Sequence, residues 1–134
     1  MTTIKGTPKV ISASAKEVFD FLADFRNFNE LLPEQVTNWR TSGDECSFTI
    51  KGMADITLKI TKAEPNKLIT YSATGKPPFP FSLDFPLEIV SEKETQTSAI
   101  FNGELNMMLE MLAKTPLQNF CNIVTEKLQK HFAK

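Results

Sequence analysis

His131 is the only imidazole in the chain and stands close to its C-terminal end. A transition-metal site needs several His, Cys or carboxylate ligands converging on one point. Cys46 and Cys121, the only two cysteines, form no CxxC pair, so no metal centre is expected. Nucleophilic catalysis needs a Ser or Cys beside a base. On one helix, Cys121 and His131 would be separated by about 15 Å of rise, too far to share a proton. A Cys46–His131 pair would depend on the fold to bring the two together. Both thiols lie among apolar neighbours and read as buried free cysteines.

Acid–base chemistry needs a carboxylate placed inside, where burial tunes its pKa. Asp55, Asp84, Glu88 and Glu104 each fall on the polar alternation of a strand and are expected to point outward. Asp20, Asp24 and Glu30 read as capping and surface acids, and Arg26 as an exposed helix arginine rather than a guard at a cavity mouth. The five glycines are scattered at 6, 43, 52, 75 and 103, so no phosphate-cradling loop is present. Gly103, inside an apolar strand set, marks either a bend in the sheet or room for something beside it. No catalytic residue and no cofactor is expected.

The surrounding composition is that of one apolar interior. In 134 residues, 15 Lys and Arg face 16 Asp and Glu, a formal net charge of -1 that gives nucleic acid nothing to hold. Phenylalanine dominates the aromatics, 11 against one Tyr and one Trp, and it adds apolar area without a polar tip. No segment approaches the ~20 apolar residues of a membrane span, and the start has no apolar leader. A cytoplasmic protein with reduced thiols is expected.

Positions 1–134 read as a single domain. Ile4–Ser12 has strand character, with Pro8 pushing it to an edge or bulge. Ser14-Ala15-Lys16-Glu17 forms a capping box. Val18, Phe21, Leu22 and Phe25 then follow at helical spacing. Asp24 caps a second short helix carrying Phe28, Leu31 and Leu32, and Pro33 stops it. Cys46–Lys51 and Ala54–Thr61 alternate with period two. Their apolar sets share a face only if Ile50 pairs with Ala54 across a three-residue loop, Lys51–Met53. Further strands cover Leu68–Thr74, Phe79–Ile89 and Thr97–Met107. Gly75–Pro78 breaks the chain between the first two. Thr115 as N-cap and Pro116 as first residue open a last helix with its stripe at Leu117, Phe120, Cys121, Val124, Leu128, His131 and Phe132. The result is a two-layer α+β domain.

This order, with ISASAKEVFDFLADFRNFNELLP near the start and AKTPLQNFCNIVTEKL near the end, resembles the START-like (SRPBCC) superfamily, in its polyketide cyclase/dehydrase and lipid transport branch. The resemblance implies the helix-grip fold. In that fold a curved antiparallel sheet of about six to seven strands wraps a long C-terminal helix, with two short helices after the first strand and a cavity between sheet and helix. It implies no particular activity, because members include carriers, cyclases and chaperone activators.

On that fold the helix covers only part of a wide sheet, so some apolar surface should line a void. The expected lining is Phe81, Phe85, Phe101, Met107 and Met111, with Leu117, Phe120 and Val124 from the helix. Tyr71 is the expected polar anchor, and Trp39 would be a second if its strand phase turned it inward. The function expected is binding or transport of a small hydrophobic ligand: a lipid, a quinone or a polyketide-like aromatic. The alternatives are a module modulating a protein partner, with a homodimer also open, and a cyclase or dehydratase on the same scaffold.

Overall fold

A computed structural model describes residues 2–31, 36–42, 45–50, 54–74 and 80–133. The stop at Pro33, the loop Lys51–Met53, the break at Gly75–Pro78, Phe79, Leu32 and the side chain of Ile50 lie outside the described residues. Among the described residues, ten strands form two antiparallel sheets, and three helices pack with them. The strands are β1 (Thr2–Lys5), β2 (Lys9–Ile11), β3 (Val36–Ser42), β4 (Glu45–Ile50), β5 (Ala54–Glu64), β6 (Leu68–Ala73), β7 (Phe81–Pro86), β8 (Glu88–Ser91), β9 (Glu94–Thr97) and β10 (Ile100–Gly103). The helices are α1 (Ala15–Leu22), α2 (Phe25–Phe28), followed by a 3-10 turn at Asn29–Leu31, and α3 (Met107–His131).

The larger sheet has seven strands in the order β1-β10-β7-β6-β5-β4-β3, and the smaller has three, β2-β9-β8. The register at the β4–β5 hairpin is the expected one, with Ile50 opposite Ala54 and Phe48 opposite Ile56. Cys46, Phe48, Ile56 and Leu58 are accordingly buried. Their alternates, Ser47 and Thr49, bond across the outer face to Thr57 (3.0 Å) and Asp55 (2.6 Å).

Three apolar runs expected to be single strands are each divided in two. The chain leaves the large sheet for the small one between β1 and β2 and between β7 and β8, and returns between β9 and β10. In the second and third runs the apolar residues keep period two through the corner, so the pattern alone reads as one strand. Ile89, expected inward, is 66% exposed because it lies beyond the corner at Leu87. At the first corner Gly6 donates to the Ala99 carbonyl at 2.8 Å, and a Cβ there would meet the Cys121 carbonyl oxygen at 2.9 Å. Only glycine lets this segment run so close under α3.

The capping box of α1 is complete, with Glu17 N–H donating to Ser14 Oγ at 3.2 Å and Ser14 N–H to Glu17 Oε1 at 3.3 Å. Asp24 caps α2 through Arg26 N–H at 2.9 Å, and its pKa is held down by the Arg26 guanidinium bonding the same carboxylate. Val18, Phe21, Leu22, Phe28 and Leu31 are buried against the sheet.

The last helix departs most from expectation. It begins at Met107 and runs through Pro116. Thr115 and Pro116 carry the chemistry of a helix start, yet here they sit mid-helix. Pro116 has no N–H to offer the Leu112 carbonyl, and an interior proline costs about 3 kcal/mol or more. Among the described α3 side chains ahead of Pro116 only Ala113 is buried, so core burial does not account for the added turns.

Tyr71 is fully buried and its hydroxyl donates to the Leu22 carbonyl at the end of α1. Tyr71→Phe removes that donor and leaves a buried carbonyl unsatisfied. We expect a loss of about 1–3 kcal/mol in urea unfolding with the fold retained.

Candidate ligand-binding interior

Antiparallel pairing brings one end of each large-sheet strand to a common rim. Leu58 pairs with Ala73, Ser72 with Ser82, Phe81 with Gly103 and Gly103 with Thr2. Ala73, Phe81 and Gly103 therefore stand at one end of the sheet. Because α3 starts four residues after Gly103, its first turns stand at that end too. The far end of α3 lies against α1, where His131 stacks on Phe21 with ring centroids 4.3 Å apart.

The second half of α3 is bonded to the β1–β2 corner. Gln118 Nε2 donates to the Lys5 carbonyl (2.6 Å), Thr7 N–H to Asn122 Oδ1 (2.9 Å) and Gln129 Nε2 to the Val10 carbonyl (3.1 Å). Thr125 Oγ1 accepts from Ala99 N–H at 2.9 Å and donates to the Cys121 carbonyl at 2.7 Å. These side chains lock that half of the helix to the sheet.

The nine expected lining residues divide into three groups. Tyr71 and Phe85 are fully buried around Phe28, with centroid separations of 4.9 Å (Phe28–Tyr71), 6.4 Å (Phe28–Phe85) and 5.7 Å (Tyr71–Phe85). Trp39 joins the same cluster by stacking on Phe48 at 6.1 Å. A bulge with Asn38 at φ 55° sets its phase, which alternation could not have fixed. The Tyr71 proton is given to the Leu22 carbonyl, which ties this side chain to the end of α1.

The second group lines the seam between sheet and helix. Phe101, Leu117 and Val124 are buried, while Phe81, Phe120 and Leu105 pack on the core half-exposed. Phe81 stacks on Phe101 at 5.3 Å. A Cβ on Gly103 would come within 2.6 Å of the Phe101 ring and 3.1 Å of Phe81 Cβ. Gly103 is the last paired residue of β10, opposite Thr2 and Phe81, and an aromatic pair fills the space where its side chain would stand. The breaks in register lie instead between Thr37 and Arg40 and between Ile60 and Lys62.

The third group is Met107 and Met111, which do not face inward: they are 79% and 78% exposed. Starting the helix at Met107 sets their phase off the stripe of Ala113 and Leu117. The residue that does share that stripe is Glu110, three positions before Ala113, seven before Leu117 and fourteen before Val124. It is half-buried. A helix drawn from Thr115 hides this carboxylate; carrying the 3-4-7 spacing back through Pro116 would have found it.

The other ionisable groups sit largely as expected. Asp55, Glu88 and Glu104 are exposed, and half-buried Asp84 accepts from Asn102 Nδ2 at 2.8 Å. The His131 side chain is 38% exposed, with Nδ1 3.9 Å from Glu30 Oε2. Cys46 and Cys121 are buried free thiols, and burial pushes each up to about 12. Among the described residues no group of three His, Cys, Asp or Glu could hold a metal, and no helix is long and apolar enough to cross a membrane.

A seven-stranded antiparallel sheet closed by a long C-terminal helix over a phenylalanine-lined seam defines an α+β helix-grip protein. The chain belongs to the polyketide cyclase / dehydrase and lipid transport family, whose model matches residues 1–131. Solved structures share the fold at low identity. The protein XoxI from Bacillus cereus has a TM-score of 0.77 at 14% identity, over 98% of this chain and 96% of that one. A START superfamily protein from Mycobacterium smegmatis gives 0.72 at 12%, over 97% and 96%. A norcoclaurine synthase point mutant from Thalictrum, in complex with a transition-state analogue, gives 0.71 at 9%, over 98% and 96%. No curated protein sequence matches significantly.

Two measurements check this geometry. Gly103→Val should cost about 1–3 kcal/mol by forcing the Phe101 ring aside, and Phe101→Leu in the same chain should recover part of the loss. The thiols ionise near 9.0 when unfolded and near 12 when folded. Folding therefore disfavours the thiolate: the contribution is fully present below pH 9 and is lost as pH rises towards 12. The urea midpoint should fall over that window, and less steeply in a Cys46→Ala/Cys121→Ala chain.

Proposed function

We propose that the protein binds and carries a small apolar or amphipathic molecule between the rim of the large sheet and the first half of α3. The observation that carries this reading is the half-exposed apolar set Phe81, Leu105 and Phe120, backed by Phe101 and Leu117. Phe81 and Leu105 lie ahead of the helix residues bonded to the corner, and Phe120 lies just past Gln118, the first of them. Desolvation of the guest against these side chains supplies the affinity. Glu110, on the same helix face, replaces Tyr71 as the polar group that orients the guest.

A guest that binds only the folded chain stabilises it by about 2.7 kcal/mol at a hundredfold excess over its Kd. In a thermal-shift screen of fatty acids, quinones and aromatic polyketides, at least one class should raise the melting temperature by roughly 5–15 °C. Phe120→Ala should shrink that shift and Glu104→Gln should preserve it. A screen in which no apolar compound moves the melting point removes the carrier reading.

A further inference from the structure

The outer face of the first turns of α3 presents four large apolar side chains to solvent. Met107 is 79% exposed, Met108 72%, Met111 78% and Leu112 71%. Positions 107 and 111, and 108 and 112, are each one helical turn apart, so the four form one contiguous surface. They look away from the stripe that packs on the sheet, and core packing does not account for them. An exposed apolar patch of this kind marks an interaction surface.

We infer that this face rests on a lipid bilayer, with the rows Met107–Met111 and Met108–Leu112 inserted at the acyl boundary. Size argues for this occupant. The patch spans only about 8 Å of helix and covers a few hundred Å² at about the scale of a typical largest surface patch. A stable protein interface needs about 800 Å² from each partner. A fluid interface accepts a few unbranched, adaptable side chains without a complementary surface. Charge argues for the kind of lipid. The ionisable residues of 104–115 are Glu104, Glu110 and Lys114, which give no cationic excess to seek anionic headgroups. Binding is therefore apolar and indifferent to headgroup charge. Position supplies the use: the patch shares its end of the molecule with the Phe81–Phe101 pair, so docking would bring that end of the seam close to the membrane surface.

The test is flotation of the full chain with vesicles of phosphatidylcholine alone and vesicles enriched in phosphatidylglycerol, at low and high salt. We expect equal binding to both, insensitive to salt. Met111→Gln/Leu112→Gln should cut the bound fraction by roughly tenfold or more, with the melting temperature unchanged, and Lys114→Gln should leave binding intact. Three results would overturn the inference: no flotation with either vesicle, binding to the anionic vesicles alone that salt abolishes, or a dimer in light scattering that the double variant disperses. No guest is present in this assay, so its failure leaves the thermal-shift result standing, and the converse also holds.

Discussion

The β1–β2 corner is the constraint on which the rest of the architecture depends. At that point the chain passes between α3 and the returning β9–β10 segment, close enough that Gly6 cannot carry a side chain. The corner exposes backbone groups that no strand partner satisfies. Helix side chains satisfy them instead: Gln118 takes the Lys5 carbonyl, Asn122 the Thr7 N–H and Gln129 the Val10 carbonyl. These bonds, all at the surface, tie α3 to the corner at three points along its second half. The remaining helix then runs nine residues ahead of Pro116 toward the opposite rim of the sheet.

That placement separates two interiors. Around Tyr71 the space is filled by Phe28, Phe48, Phe85 and Trp39, and the one phenol present is spent on capping α1. Its polar valence serves the fold, as do those of Thr95, which bonds the Ala13 carbonyl, and Thr125, which bridges α3 and Ala99. The cysteines contribute packing only, since burial keeps both thiols protonated at neutral pH. Towards the rim, half-exposed rings replace closed packing. The proposed carrier and surface-docking roles both belong to that end.

Pro116 links these features. Its missing N–H loosens the hydrogen-bond ladder where the anchored and leading halves of α3 meet. The leading half carries Glu110 and Ala113 on its inner face and methionines on its outer face. Unbranched methionines adapt to shapes that a branched core residue would not fit. A segment meant only to fill a core would place them on the other side.

Much of this was legible in the residues. The capping box at Ser14, the Asp24 cap, the Ile50–Ala54 register, the outward Asp55 and Glu104 and the stripe from Leu117 to Leu128 follow from local spacing and hydrogen-bonding capacity, which act over a few residues. The order of elements, with the quoted segments, also sufficed to indicate the helix-grip fold. Tertiary structure alone decided where period-two runs turn from one sheet to the other, because alternation is the same on both sides of a corner. It decided that α3 begins at Met107, ahead of the start that the local preference of Thr115-Pro116 would set. That shift of start turned Met107 and Met111 outward and Glu110 inward. The fate of the Tyr71 hydroxyl was likewise invisible in the chain, since its partner, Leu22, is 49 residues away and meets it only once α1 is docked on the sheet.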